Sequence, residues 1–263
     1  MKKPAHSIEE NMDELRAPKI ERLGKQTRRS LENAVWDAMK ANDVEALAKT
    51  LAILESGGVR HLASHRKSDL KTPCGIPSVM AYVAGAMNGA SDCLELLADW
   101  WEPGEKRREM IEASVQFAAL AREPEPVRTL MPRVRELGAE SSRKAVQALH
   151  SNPDCLSLAL AGFPWESASA DWLAEQFDLA LRQRRVSSGW QQDDCEKCLE
   201  IWDEQTPIEL GLLALEKTQA KDEGFPRLRA HAQARELAKA VAAVQQQESE
   251  EGELSKKGRS TRI

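Results

Sequence analysis

Apolar residues return every three or four positions along most of the chain, which is the spacing of one face of an α-helix. The clearest runs are Val44, Leu47, Leu51 and Leu54, then Val127, Leu130, Val134 and Leu137, and near the end Ala234, Leu237, Val241 and Val244. Runs of Val, Ile and Thr of strand length are missing, so a β-sheet is not expected. The pattern predicts an all-α protein in which each helix buries one face.

Capping residues, glycines and prolines divide this pattern into separate helices. Gly57-Gly58 and Gly138 mark helix ends, whereas Asn152-Pro153 and Thr206-Pro207-Ile208-Glu209 mark helix starts. The predicted helices cover about 7–16, 19–41, 42–56, a pair within 78–101, then 105–121, 125–137, 142–150, one from 152, 169–185, 194–203, one from 206, and 226–246. Residues 59–76 are polar and broken by proline and glycine, and they predict a long loop or a short irregular helix.

Changes in composition divide the chain into four parts. Residues 1–30 predict a helical, partly mobile N-terminal segment, and residues 31–161 hold the helix-pair pattern. After the break at Gly162-Phe163-Pro164, residues 162–246 predict further helix pairs that continue the same stack. Residues 247–263 are rich in Gln, Glu, Ser, Lys and Arg, and this composition predicts a disordered tail.

The stretch Ala86–Leu97 is the clearest example of a helix pair. It combines the end of one helix, a tight turn at Asn88-Gly89 and a second amphipathic helix that begins near Ser91. Further along the chain, Cys155–Ala159 resembles the start of this second helix, Cys93–Leu97. The return of the pattern predicts stacked helix pairs.

Alignments of this unit give its repeat distances. Ala86 aligns with Ala119 at 33 residues (119 − 86), and Asp92 aligns with Asp154 at 62 (154 − 92), which leaves 29 for the second step (62 − 33). Towards the N-terminus, Ala38 takes the place of Ala86 at a distance of 48 (86 − 38). One step therefore has the period of an ankyrin repeat, and its neighbours are irregular.

The residues Ala86-Met87-Asn88-Gly89, followed by Asp92–Leu97, resemble the middle of an ankyrin repeat, where an alanine-rich inner helix meets a glycine turn and an outer helix with a leucine pair. The resemblance covers residues 31–161 and implies an ankyrin-like stack of helix pairs that binds another protein. The Thr-Pro-Leu-His start of the motif is absent, and Thr72-Pro73 is its nearest approximation. In the next copy Arg122 replaces the glycine of the turn. A generic α-solenoid and an irregular helical bundle are the alternatives.

Composition limits the classes of function. The chain has 263 residues, 41% hydrophobic and 30% charged, which is enough for one elongated domain or two small ones. The net charge of -5 argues against bulk attraction to nucleic acid. No apolar run approaches the ~18 residues of a spanning helix and no signal peptide is visible, so no membrane association is expected. Five cysteines, an odd number, fit free thiols in a reducing compartment, and we expect a cytoplasmic protein.

Cysteine and histidine residues are the candidates for metal or redox chemistry. Cys195-Glu196-Lys197-Cys198 has the C-x-x-C spacing, but a zinc site needs two more ligands, for which Cys155 and His150 are the nearest candidates. His61 and His65 are four residues apart but lack the glutamate of a zinc-protease helix. Packing is the expected role of the cysteines, and no catalytic residue, cofactor or metal ligand is predicted.

Tryptophan and arginine side chains are the candidates for partner binding. Trp100 and Trp101 are adjacent, and neighbouring helix residues point about 100° apart, so one ring is expected to be an exposed interface anchor unless both fill a gap between repeats. Arg182 and Arg185, with Trp190 nearby, would contact phosphate groups and stack on a base. The interpretation that we favour is that these arginines end a helix, where cations interact favourably with exposed carbonyls.

Three hypotheses of function follow. The favoured one is a non-enzymatic protein–protein interaction module, which acts as an adaptor, effector or inhibitor and binds a partner protein through a helical-repeat surface. The alternative is a nucleic-acid-associated regulatory protein that uses local clusters, Arg22/Lys25/Arg29 or Arg182/Arg184/Arg185. The third is an enzyme with an unfamiliar site around the cysteines.

Overall fold

The computed structural model describes residues 25–64, 66–67, 79–218 and 224–260, with side-chain detail for all of these except residues 25–26, 66–67, 79, 190 and 247–260. The chain divides into two compact units, unit 1 up to Pro164 and unit 2 from Trp165. The predicted helix 7–16 and the candidate residues Arg22 and His65 lie outside the described residues. None of the described helices has an apolar stretch long enough to cross a membrane.

The described part of unit 1 is all-α apart from one short ladder. Its helices are α1 (Lys25–Ala41), α2 (Val44–Ser56), α3 (Ala81–Met87), α4 (Ser91–Trp100), α5 (Glu105–Ala121), α6 (Pro124–Glu136), α7 (Ala139–Leu149) and α8 (Pro153–Leu160). Between α2 and α3, a short 3-10 helix (Arg60–Ser64) is followed by an antiparallel pair, β1 (Arg66–Lys67) with β2 (Val79–Met80). This is the region where a loop or a short irregular helix was expected.

The helices of unit 1 pack as two layers. In one layer α1 contacts α3, α3 contacts α5 and α5 contacts α7, and in the other α2, α4, α6 and α8 contact one another in the same order. Each helix of the first layer also contacts the helix that follows it in the chain. Helix pairs therefore follow one another in chain order, as the repeated sequence pattern predicts.

Three of these pairs turn through the same backbone hydrogen bond, which joins an amide to the carbonyl five residues earlier. The bonds run from Asp43 N to Ala38 O, from Ala90 N to Gly85 O and from Glu123 N to Ala118 O, each 2.9 Å long. The equivalent positions are Ala38, Gly85 and Ala118, at distances of 47 (85 − 38) and 33 (118 − 85) residues. The 33-residue step agrees with the prediction, whereas the predicted 48-residue step is one residue too long, because it paired Ala38 with Ala86.

Asparagine side chains join successive helix pairs of unit 1. The Oδ1 atom of Asn42, in the first turn, accepts a hydrogen bond from the amide of Cys93 at the start of α4 (3.1 Å). Asn152 accepts one from the amide of Cys155 (3.3 Å) and donates another to the carbonyl of Ala119 at the end of α5 (3.2 Å). Each asparagine thus caps an outer helix and links it to an inner helix of the neighbouring pair.

The turn of the second pair depends on a glycine. Gly89 has a φ of 74°, and the equivalent Asn42 has a φ of 51°, both in the left-handed region. We expect Gly89→Ala to lower the free energy of unfolding by about 1 kcal/mol, because the Cβ atom of alanine makes the left-handed backbone conformation unfavourable. Gly89→Asn should cost less, although its side chain is larger, because asparagine tolerates this conformation. Urea unfolding followed by circular dichroism measures both, and a greater loss for the asparagine variant would contradict the explanation.

The described part of unit 2 contains a 3-10 turn (Trp165–Ser167), α9 (Ala170–Val186), α10 (Trp190–Gln205), α11 (Ile208–Lys217) and α12 (Pro226–Ser260). α9 contacts α10 and α11, and α12 contacts the same two helices. Trp202 is fully buried at the centre of this unit and meets three other aromatic rings edge-on. Phe177, one of the three, stacks on Phe225 with ring centroids 4.0 Å apart, so the aromatic core reaches the start of α12.

α12 differs from the sequence prediction in two ways. The helix was expected to end near residue 246, with a disordered tail from 247, whereas its backbone is helical through Ser260. Its predicted buried face is wrong: Leu237, Val241 and Val244 are 67%, 48% and 53% exposed. Every side chain from 233 to 246 is exposed, although Gln233, Arg235, Glu236 and Lys239 line a groove beside α11.

Candidate interaction surface

One face of α12 carries several exposed apolar side chains. They are Ala234, Leu237, Val241 and Val244, which we call the apolar stripe. Because a helix turns about 100° per residue, these four positions fall within about 80° of one another. Exposed aliphatic side chains gathered on one helix face are typical of a surface that binds another polypeptide.

A buried carboxylate fixes the start of α12. Asp203 of α10 is 4% exposed, and its two oxygens accept hydrogen bonds from the amides of Arg227 (2.7 Å) and Leu228 (3.0 Å). In return, the guanidinium group of Arg227 donates to the carbonyls of Asp203 and Thr206 at the end of α10 (2.7 and 2.6 Å). Each helix end therefore satisfies the unpaired backbone groups of the other, and α12 has a fixed direction where it leaves the core.

α11 lies against the opposite side of α12. The groove between the two helices is lined on the α12 side by Arg229, Ala232, Gln233, Arg235, Glu236 and Lys239, and Arg235 pairs with Glu209 of α11 at 3.0 Å. From the 100° step per residue, the mean direction of these six residues lies about 140° from that of the apolar stripe. The stripe therefore faces away from α11 and is open to solvent.

The two tryptophans expected to provide an anchor are not equivalent. Trp101 is 7% exposed, and its ring meets that of the half-buried Trp100 edge-on, with centroids 5.0 Å apart. α4 ends at Trp100, and Trp101 has extended backbone (φ -70°, ψ 132°), so the helical angle of about 100° between neighbours does not apply. The guanidinium of Arg60 covers the Trp100 ring at 5.1 Å. Trp101 is thus a core residue, and only part of the Trp100 ring is open to a partner.

The arginines at the end of α9 make separate contacts. The Nε atom of Arg182 donates to a carbonyl of its own helix (3.2 Å), and Arg184 lies 3.7 Å from a carboxylate oxygen of Glu196. Arg185 is exposed, and the side chain of Trp190 lies outside the described part of the molecule. Basic side chains in a last helical turn complement the exposed carbonyls, as the helix-end interpretation proposes.

The cysteines with described side chains are buried free thiols. Burial, together with nearby carboxylates, raises the pKa of Cys93 to about 11 and that of Cys155 to about 12. The thiolate is the reactive form of cysteine, so these two side chains are poor nucleophiles near neutral pH. Cys195 and Cys198 are buried in α10. Among the described residues no three His, Cys, Asp or Glu side chains are grouped so as to hold a metal ion.

Comparison with known proteins adds no relative. Neither a scan of protein-family models nor searches of curated proteins and solved structures found a match.

Proposed function

We propose that the protein is a non-enzymatic interaction protein that binds another polypeptide helix through the apolar stripe of α12. The observation that carries the proposal is the exposure of Leu237, Val241 and Val244 on one face of α12, a face that no described residue of unit 2 covers. A helix with one apolar face needs a partner for that face, and a second amphipathic helix is the simplest one.

The free energy available from burying the apolar stripe favours binding. Fully burying a leucine or valine side chain contributes about 1.5–3 kcal/mol. Three such side chains, each about half exposed or more, would together offset part of the cost of association. Most helical stability in proteins comes from the packing of an apolar face, so a partner would also stabilise the exposed part of α12.

The helix pairs of unit 1 support a role as a scaffold. We propose that they form an ankyrin-like stack or a related α-solenoid whose surface is available to a second partner. The order in which the two layers pack, the 33-residue step and the left-handed turns at Gly89 and Arg122 support this architecture. The buried free thiols support a reducing compartment, such as the cytoplasm, as the place where the protein acts.

The alternative, a nucleic-acid-associated regulator, has less support. Arg184 is paired with an acidic side chain, and the arginines lie at the end of a helix, where the backbone dipole disfavours a phosphate. The net charge of -5 adds no attraction.

Pull-down from the native host, with a matched pair of variants, tests the proposal. Val241 lies in the stripe, whereas Gln246 is exposed on the opposite side of the same helix, so Val241→Asp and Gln246→Asp add one charge each to α12. We expect Val241→Asp to lose a partner that the wild type and Gln246→Asp both retain, because a buried aspartate without a partner is costly.

The captured partner is then purified and its affinity for each variant is measured by calorimetry. The expected result is a weakening of tenfold or more, about 1.4 kcal/mol, for Val241→Asp only. Equal retention and equal affinity for both variants would overturn the stripe as the binding surface. Steeply salt-dependent binding to DNA or RNA would favour the alternative.

A further inference from the structure

We propose that the helix which covers the apolar stripe is α12 of a second copy of this chain, in a parallel two-stranded coiled coil. This inference rests on the proposed function, because it names the partner of the same surface. It also explains why a stripe that the sequence pattern places on a buried face is exposed in a single chain.

The spacing of the stripe is that of a coiled-coil seam. Ala234 and Val241 are seven residues apart, as are Leu237 and Val244, so the four occupy alternating a and d positions of two heptads. In this register the a positions hold Ala234 and the β-branched Val241, and the d positions hold Leu237 and Val244. β-branched residues at a with leucine at d favour two parallel strands over larger assemblies.

The positions beside the seam accept an identical partner. They hold Gln233, Ala238, Ala240 and Gln245, none of which is charged. Charges at these positions normally select the partner of a coiled coil, and like charges there would repel a second copy. Over residues 233–245, two copies of α12 therefore meet without like charges at these positions, and the alanines permit close approach. A different partner with charged flanks would gain nothing from these side chains.

The charged side chains of this part of α12 lie elsewhere on the helix. Glu236 and Lys239 form an ion pair of 2.7 Å on the side that faces α11, and Arg235 pairs with α11 itself. Because α11 lies about 140° from the stripe, the α11 helices of both copies would lie on the outer sides of the helix pair. A two-fold axis along the seam therefore brings the stripes together.

Light scattering after size exclusion, from nanomolar to high-micromolar concentration, tests the proposal. We expect the full chain to change from its monomer mass of 29.3 kDa to twice that mass as its concentration rises. Val241→Asp should weaken the dimer by tenfold or more, whereas Gln246→Asp should leave it unchanged. Circular dichroism checks that both variants keep their helix content. Under oxidising conditions Val241→Cys should form a disulfide between copies, because identical seam positions face each other, and Gln246→Cys should not.

Carbene labelling of Leu237 in the same samples distinguishes the possible failures. A monomer at every concentration with Leu237 labelled would overturn self-pairing but leave the proposed function standing. A monomer with Leu237 protected would overturn both, because the stripe would then pack within its own chain. A dimer that Val241→Asp does not weaken would overturn self-pairing through the stripe.

Discussion

Asp203→Ala should lower the free energy of unfolding of unit 2 by about 3 kcal/mol and release the start of α12, because it removes a buried acceptor of two hydrogen bonds. The amides of Arg227 and Leu228 now donate to its carboxylate at 2.7 and 3.0 Å. Alanine would leave both amides without this partner, that of Leu228 buried and that of Arg227 partly buried, at the positive end of the helix dipole. The loss exceeds that of an ordinary helix cap because Asp203 is only 4% exposed and water does not easily replace it.

Glu204→Ala is the matched control, since Glu204 is the next residue on α10 and is exposed. It should change stability by less than about 0.5 kcal/mol. Urea unfolding gives the stability, and hydrogen exchange of residues 226–232 reports whether the start of α12 opens. Unfolding curves that coincide for the two variants would show that the carboxylate does not hold α12.

Trp202→Ala should lower the stability of unit 2 by about 3–5 kcal/mol, because it leaves a large cavity in the aromatic core. The ring is fully buried, and its centroid lies 6.0–6.5 Å from those of Trp165, Trp172 and Phe177. Thermal unfolding, followed by circular dichroism, measures the loss. Leu213→Ala, at a side chain that is 51% exposed, is the control and should have little effect.

Trp202→Phe separates the two contributions of this residue. The indole Nε1 of Trp202 is buried without a hydrogen-bond partner. Phenylalanine removes that unpaired donor and keeps much of the edge-on packing, so it should cost less than half as much as alanine. Equal losses for the phenylalanine and alanine variants would contradict this explanation.

The period of apolar residues was sufficient to predict an all-α protein, because burial of one helix face is a local property of the sequence. It was not sufficient to fix the register of the first repeat. The alignment relied on the identity of Ala38 and Ala86, whereas the turns align Ala38 with Gly85. A hydrogen bond of the backbone, which any residue can form, sets the equivalence.

The candidate site shows what a periodic pattern leaves open. The seam of α12 has the spacing of a buried face, but spacing does not state whether the covering surface belongs to the same chain. The sequence analysis also does not predict that the Asp203 carboxylate caps the start of α12, because Asp203 lies 24 residues before Arg227. The sequence holds one indirect indication of this cap. Pro226 begins a helix, yet Gly224 and Phe225 before it have no side-chain acceptor, so the capping group must come from elsewhere.

The position of Trp101 has a similar cause. The expected angle of 100° between the two tryptophans assumes that both lie within the helix. α4 ends one residue earlier, and the extended backbone of Trp101 places its ring in the core. A change to Trp101 would therefore report on stability rather than on partner binding. Variants of the apolar stripe are the ones that test partner binding.

The central claim is that the apolar stripe is open in the free chain and closed by another polypeptide helix. Carbene labelling of Leu237, Val241 and Val244 measures this directly, in the dilute free chain and in the assembled form. We predict strong labelling of all three in the free chain and protection on assembly, with Gln246 labelled in both. Protection of the stripe in the dilute free chain, or equal labelling in both states, would contradict the account.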